Sequence, residues 1–579
     1  MNLNHFLPSA EQLKKHPRAA WKALRSVLWL LGSGWAAAPV RRLVQLVALA
    51  SFVTLILVTA WPRGDEAVTV RIEEKGGPGV ATLLRLDPLA FIAAAVAGRS
   101  VPVSLAWAAG ILAVCLVIPR GFCSHVCPLG TLIDLFDWAV GRRFRRLHLK
   151  RRGWWVHLRY YLLAGGLAAA ALGLTLVGLV AAIPLVTRGA IAIMGPLQLG
   201  LTSGWDAVPP VAPTQWLAVG LLAAVLLVGL LGPRFWCRCL CPTGAVFSMA
   251  NLLRLTDRKV TSACIRCGKC IRACPFDAVK DDFSTQAADC TFCQDCGGVC
   301  PTAAITFVGR WSRAEETPVE TAPALPGEVR LSRRSLLAGA LAGAAAVALT
   351  SSVTGRPLGR PADKYPIRPP GSVPEDEFLG LCVRCGNCIQ VCPSQVLRPA
   401  GLALGLESLW TPHAQSDWAG CREDCNNCGQ ACPTGAIRRL PLEEKRAAHM
   451  GRAAVNVKTC LPHSGRQDCG QCMQRCMAAG YEAIELRQVR AELSADGQPV
   501  EGTGFWAPFV LAEKCVGCGQ CQEVCYHMNH LELGLLAASA IAVEAGPGKD
   551  DRLFRGSYIA LREAERRRSE PAQPASGAL

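Results

Sequence analysis

Cysteine is the residue whose spacing carries chemistry in this chain. Thirty cysteines occur among 579 residues, and most of them fall into six quartets. Cys264, Cys267, Cys270 and Cys274 precede Pro275; Cys290, Cys293, Cys296 and Cys300 precede Pro301; Cys382, Cys385, Cys388 and Cys392 precede Pro393. These three read C-x2-C-x2-C-x3-C-P. Cys421, Cys425, Cys428 and Cys432, before Pro433, are stretched by one residue at the first gap. Cys460, Cys469, Cys472, Cys476 and Cys515, Cys518, Cys521, Cys525 run on into Met477 and Tyr526 instead of proline. Three thiolates at i, i+3 and i+6 wrap a tight loop around three corners of an iron–sulfur cube, and the fourth opens a short helix. Structural zinc uses paired C-x2-C knuckles with longer spacers. Disulfide frameworks suit small secreted domains. Neither repeats an unbroken quartet six times, so the pattern predicts six [4Fe–4S] clusters and a chain that moves electrons.

Four further cysteines form a second pattern. Phe122-Cys123-x3-Cys127-Pro128-Leu129-Gly130 leads into an apolar helix over 131–140, and Trp236-Cys237-x3-Cys241-Pro242-Thr243-Gly244 into another over 245–255. A parallel repeat relates its halves by an axis along the membrane normal, which would bring the two pairs together. Cys123, Cys127, Cys237 and Cys241 are therefore a candidate seventh metal or cluster site, or a pair of redox-active dithiols; structural turns are the plainer reading. Cys239 lies inside the second motif and is spare or a substitute, and Cys115 reads as packing.

The elements that must hold these cysteines are of two kinds. A hydrophobic fraction of 51% and a mean hydropathy of +0.26 point to membrane segments, and four apolar stretches reach the roughly 20 residues a bilayer requires. They are 43–61, 101–118, 160–183 and 216–232. Basic residues crowd the segment before the first span (Lys14, Lys15, Arg18, Lys22, Arg25, Arg41, Arg42) and the connection 120–159, whereas 184–215 holds only Arg188. Such asymmetry places the N-terminus and the region after the fourth span in the cytoplasm. The +17 formal charge thus belongs to membrane topology and anionic lipid, not to nucleic acid. Residues 332–349 open on Ser-Arg-Arg-Ser-Leu-Leu and continue as an Ala/Gly/Leu run, the form of an uncleaved twin-arginine export segment. A fifth crossing there carries the later quartets outside.

The expected fold class is an α-helical membrane domain, of four spans plus a fifth twin-arginine-like anchor, with two α+β bacterial-ferredoxin-like [4Fe–4S] domains. The expected boundaries are 1–42 (basic, cytoplasmic), 43–259 (membrane domain), 260–310 (two-cluster ferredoxin domain), 311–330 (linker), 331–352 (anchor), 353–376 (linker), 377–545 (periplasmic four-cluster domain) and 546–579 (mostly disordered tail).

On these motifs, residues 40–310 resemble the NapH-type membrane quinol dehydrogenase subunit of periplasmic nitrate reductase systems, and a similar layout occurs in nitrous-oxide-reductase regulators. Residues 331–535 resemble the NapG/MauM-type periplasmic ferredoxins, so the chain looks like a fusion of two partner subunits. The resemblance implies a bacterial inner-membrane protein that draws on the quinone pool. It would oxidise quinol and pass electrons to a periplasmic redox protein; the alternative is a redox factor serving metalloenzyme maturation. It also implies crossed ligation in the first ferredoxin, with Cys300 joining Cys264, Cys267 and Cys270, and Cys274 joining Cys290, Cys293 and Cys296. For the later quartets adjacent and nested pairing are both open. None of the ten histidines lies mid-span, so a haem relay across the roughly 30 Å hydrocarbon core is disfavoured. Quinol is then expected near the outer loops 62–99 and 184–215, where Asp87 and Arg99 are either proton and headgroup contacts or plain capping residues.

Overall fold

The structure, a computed structural model, describes residues 33–60, 81–99, 104–141, 154–312, 333–353, 365–492 and 503–569, with a few single positions between them. The basic segment before residue 33, most of the basic connection 142–153, the residues 313–332 that take in most of the first linker, and residues 570–579 lie outside the described residues.

The helical domain is built twice over. The first unit holds α1 (Pro39–Ala60), α2 (Pro88–Ala97), α3 (Ser104–Val117) and α4 (Pro128–Phe136). The second holds α5 (Leu158–Ala171), α6 (Ala182–Ser203), α7 (Pro213–Leu227) and α8 (Pro242–Ala250). In the second unit α5 is followed by a chain reversal into α6, which opens on Ile183-Pro184-Leu185; in the first, α2 opens on the matching Asp87-Pro88-Leu89. In each, a returning helix then leads to one π-helical turn (Phe122–Val126 or Trp236–Leu240) that ends on the second cysteine of the C-x3-C-P motif. Proline at the first position of α2, α4, α7 and α8 suits a helix start, where its missing N–H has no intrahelical partner to lose.

Among the described residues three helices are long and apolar enough to cross a membrane: Pro39–Thr59, Ala182–Ser203 and Pro213–Leu231. This corrects the sequence reading in two places. The stretch 160–183 is not one span: α5 stops at Ala171, Gly173 takes a positive φ of 89°, and the chain turns back before α6. The stretch 184–215, expected as an outer loop, is mostly α6. Apolar residues continue through the reversal, so hydropathy alone does not register it. The second expected span is a helix of 14 residues, short for the hydrocarbon core.

The tips of α2 and α6 meet at Asp87, which is fully buried. Its carboxylate accepts from the N–H groups of Leu89 (3.2 Å) and Ala90 (3.4 Å) and from that of Ile183 (3.3 Å), and Thr243 Oγ1 donates to it at 3.3 Å. Asp87 is therefore the cap of two helix N-termini, where a carboxylate is favoured; its geometry is that of a structural tie rather than a headgroup contact. Arg99 sits in the left-handed turn after α2, at φ 45°.

Two cysteine-rich units flank this domain. Residues 256–312 form the first, closed by the antiparallel pair β1 (Thr256–Val260) and β2 (Ile305–Gly309). Residues 365–569 form the second. It carries the antiparallel pairs of β3 (Leu397–Pro399) with β4 (Pro412–Ala414), β5 (Arg452–Val455) with β8 (Ile541–Glu544), and β6 (Ile484–Val489) with β7 (Phe505–Val510). Described residues resume at Tyr365, inside the expected linker. Residues 546–569, expected within a disordered tail, are ordered: Tyr558 is fully buried, and its N–H donates to Glu444 (2.7 Å).

Helix α5 sets the separation of the two units. At its start Arg159 pairs with Asp289 of the first (2.5 Å). Past its end, Thr175 N–H donates to Leu379 O of the second (3.3 Å). The fourteen residues of α5, Leu158–Ala171, rise roughly 20 Å at 1.5 Å per residue. Helix α9 (Arg333–Val353) lies along α5, with Gly339 against Tyr161 and Gly343 against Gly165. The register rises in both helices together, so they run parallel, and the G-x-x-x-G spacing is what allows the two backbones to touch.

A side chain at Gly343 would collide with the Gly165 carbonyl, whereas one at Gly220 meets nothing within 4 Å. Gly343→Ile is expected to lower the unfolding temperature of the detergent-solubilised protein by several degrees, and Gly220→Ile to leave it unchanged, as read by a thermal melt.

Candidate metal centres

Each quartet contributes three cysteines to one centre and its fourth to a neighbour. Cys264, Cys267, Cys270 and Cys300 line one cavity. Cys274 instead lies within charge–charge range of Cys290, Cys293 and Cys296. The crossed expectation for the first unit therefore matches the geometry. In the second unit Cys432 joins Cys382, Cys385 and Cys388, and Cys392 joins Cys421, Cys425 and Cys428. Two more cavities collect Cys476 with Cys515, Cys518 and Cys521, and Cys525 with Cys460, Cys469 and Cys472. Of the two pairings left open, adjacent quartets are the ones brought together.

Local backbone explains the loops. A left-handed residue follows the second cysteine in four of them: Gly268 (φ 69°), Gln294 (63°), Gly386 (79°) and Gly519 (81°). That turn lets the third cysteine enter a short helix, for example Lys269–Ala273 or Gln520–Cys525. The fourth cysteines accept backbone N–H bonds: Ala278 to Cys274 (3.2 Å), Ala304 to Cys300 (3.3 Å), Ala483 to Cys476 (3.2 Å) and Ala540 to Cys525 (3.4 Å). Donors aimed at sulfur favour the reduced state of an iron–sulfur cluster and raise its potential. Among the described residues no three His, Cys, Asp or Glu side chains close around a single-ion position.

The centres form a row. Cys267 is exposed and marks one end. The Cys274/290/293/296 group packs beside Cys237 of the helical domain, and Cys385 shares a buried cluster with Cys127 and Cys241. Farther out, Cys421 N–H donates to Cys518 O (2.7 Å), joining the two halves of the second unit.

Cys123, Cys127, Cys237 and Cys241 are brought together as the repeat predicted: Cys241 lies within charge–charge range of the other three. Cys239 faces Arg238, Arg159 and Asp289 instead, and Cys115 stays in the α3 packing. Sequence reading missed Arg120 and Arg234, although each stands three residues before the first cysteine of its motif. Both are fully buried and left-handed, at φ 46° and 48°, and each crosses to the other repeat. Arg234 Nη1 donates to Cys123 O (2.8 Å), while Arg120 Nη2 lies over Gly244 beside Cys237 O. Both guanidiniums stack on Phe276, two residues after Cys274, at 5.6 Å and 4.8 Å. Arg234 is neutralised within the domain by Asp134 (2.6 Å). The residue equivalent to Asp134 in the second repeat is Ser248, and the counter-charge of Arg120 comes from Asp289 of the first cysteine-rich unit (3.5 Å).

Comparison with known proteins agrees with this chemistry. A family profile described as a 4Fe-4S binding domain matches residues 100–147 and 214–260, the two C-x3-C-P regions, and another of the same description matches residues 258–280. The methylamine utilization ferredoxin-type protein MauM of Methylorubrum extorquens is 35% identical over 190 residues, 32% of this chain and 77% of that protein. The chain belongs to the MauM family of ferredoxin-type proteins. The ferredoxin-type protein NapG of Escherichia coli is 36% identical over 162 residues, 28% of this chain and 65% of its own length. The regulatory protein NosR of Pseudomonas aeruginosa is 29% identical over 212 residues, 36% of this chain and 26% of its own. No solved structure matches. The fold and these relatives together make the chain a ferredoxin-type [4Fe–4S] electron-transfer protein with helices able to cross a membrane.

Within the family's domain one buried cation stands out. Lys445 Nζ donates to Arg422 O and is 5% exposed. Burial opposes its charge, but Cys421, Tyr481, Cys425 and Cys428 hold its pKa above the ordinary lysine range. A fixed positive charge favours the more negative, reduced cluster.

Two tests follow from the geometry. Cys300→Ser and Cys264→Ser should abolish the same cluster signal in electron paramagnetic resonance, while Cys274→Ser abolishes the one lost with Cys290→Ser; uncrossed pairing reverses the partners. Lys445→Gln should lower the potential of one cluster alone in a redox titration. The ceiling is on the order of 100 mV, the equivalent of about 2 kcal/mol between unit charges ~8 Å apart at an effective dielectric near 20.

Proposed function

We propose that the protein oxidises membrane quinol and passes the electrons, one at a time, through six [4Fe–4S] clusters to a redox protein outside the cytoplasmic membrane. Quinol yields quinone, two protons and two electrons; the clusters accept only the electrons. The six centres are those collected by the crossed quartets, with the ligands named above. The observation that carries the reading is the row of cysteine sites, which starts at exposed Cys267 and continues on both sides of a helical domain.

The bacterial inner membrane is the expected location. In the sequence Lys and Arg cluster before α1 and between α4 and α5, as cytoplasmic segments do, and at the described edges Arg41 and Arg159 pair with Asp295 and Asp289 of the first unit. Helix α9 runs parallel to α5 and delivers residues 365–569 to the other side, the direction a twin-arginine segment would impose on a cluster-loaded domain. A second reading, a redox factor serving metalloenzyme maturation or regulation, is favoured by the likeness to the regulatory protein NosR.

Anaerobic membrane vesicles containing the protein decide between them. A quinol analogue should bleach cluster absorbance within the mixing time of ordinary turnover, and a reporter fused after Ser569 should be accessible from outside. Bleaching by dithionite alone would sink the quinol reading, and protection of the reporter would sink the topology.

A further inference from the structure

The six quartets leave one stretch of the row without a carrier. Between Cys290 of the first unit and Cys382 of the second stands the helical domain, with α5 setting a separation of roughly 20 Å. The four thiols of the two C-x3-C-P turns lie inside that stretch. On one side, Cys237 packs against Cys274, Cys290 and Phe276. On the other, the path is short: Thr243, two residues after Cys241, accepts from Ala182 N–H (3.4 Å). Arg188, six residues and about 9 Å farther along α6, donates to Arg384 O (3.1 Å), next to Cys385.

We propose that Cys123, Cys127, Cys237 and Cys241 together hold one iron–sulfur cluster, shared between the two repeats, that relays single electrons between the two ferredoxin units. The inference rests on the reading of the protein as an electron carrier and gives the clusters of the first unit their role. Each transfer oxidises one cluster and reduces the next; no bond is made or broken.

The surroundings of the four thiols fit such a group. A cluster with four thiolates carries about two negative charges when oxidised, and a buried anion demands buried cations. Arg120 and Arg234 are 0% exposed and frame the foursome from opposite repeats. Nε and Nη2 of Arg120 find no hydrogen-bond partner, and Nη2 hangs over Gly244 between Cys237 O and Cys241 Cβ. A fully buried guanidinium with two idle donors beside four thiols is the environment of a missing anion. Gly130 and Gly244 occupy the third position after Cys127 and Cys241; a Cβ at Gly244 would crowd Arg120 Nη2 at 3.3 Å, and one at Gly130 would sit 3.0 Å from Cys123 O, with Arg234 in ordinary contact at 3.5 Å. Two separate dithiols would need neither the shared site nor the crossed arginines.

The test uses the full chain, purified anaerobically. Iron and acid-labile sulfide are counted per polypeptide, and Mössbauer spectra are recorded. The unmodified protein should exceed the about twenty-four irons that six cubanes account for. Cys127→Ser/Cys241→Ser should lose that excess and keep the six remaining signals, and Cys239→Ser should lose nothing. In proteoliposomes, a membrane-impermeant reductant on the side of Cys267 should reduce the second unit's clusters in the unmodified protein, and at least tenfold more slowly in the double variant. Twenty-four irons or fewer in the unmodified protein, zinc in the site, or disulfides within each pair would overturn the proposal. The count on the unmodified chain decides the matter even where the double variant fails to accumulate. Failure of quinol to reduce any cluster would remove the quinol reading and leave this count untouched.

Discussion

Two guanidinium groups buried in apolar surroundings are the constraint around which the rest of the molecule is arranged. Arg120 and Arg234 have no exposure, so each must find its counter-charge inside the protein or be strongly destabilising. Arg234 finds Asp134, a carboxylate that also binds Arg41 (2.8 Å) and Arg42 (2.6 Å) and so ties α1 to α4. Among the described residues Arg120 pairs with no carboxylate of its own domain and takes Asp289 from the first ferredoxin unit. That unit is therefore part of the charge balance of the helical domain. Arg41 reinforces the arrangement by reaching Asp295 (2.6 Å), and Phe276 fills the space between the two arginines and the cysteine loop.

The second unit is held differently. The contacts that tie it to the helical domain here are hydrogen bonds and stacking, not ion pairs: Thr175 donates to Gly380 O and accepts from Arg384 across the reversal after α5, Trp410 donates to Thr214 O (2.8 Å), and Arg188 stacks on Trp410 at 3.8 Å. Helix α6 lies against this surface, and 67% of its most apolar stretch is buried, against 17% and 22% for the helices at Pro39–Thr59 and Pro213–Leu231. A helix with the composition of a span is thus largely covered by protein, and the backbone reversals beside it stay away from lipid, where unpaired N–H and C=O groups would be costly.

Sequence conveyed the chemistry more fully than the shape. The quartets name the cluster loops outright, because the i, i+3, i+6 spacing is dictated by the cube and barely depends on the rest of the fold. The C-x3-C-P repeat was legible for the same reason, and its four cysteines do converge. The chain reversal at Gly173 was not, since Leu172, Leu174 and Leu176 are as apolar as the helices they separate. The wider repeat, with Asp87-Pro88-Leu89 answering Ile183-Pro184-Leu185, was hidden by the change of the first residue, although the matching Pro-Leu pairs could have revealed it. Arg120 and Arg234 could have been found from their equal spacing to Cys123 and Cys237. Their crossing between repeats could not, because it depends on a left-handed backbone that sequence does not announce for arginine.

The parallel contact of α9 with α5 has a kinetic corollary. Since both helices belong to one polypeptide, the second ferredoxin unit meets its docking surface at an effective concentration set by the tether instead of by its concentration in solution. Two free subunits would have to find each other by diffusion and bind tightly enough to stay together. Here a modest interface suffices, the stoichiometry is fixed at one to one, and the two halves of the chain need no collision to come into contact.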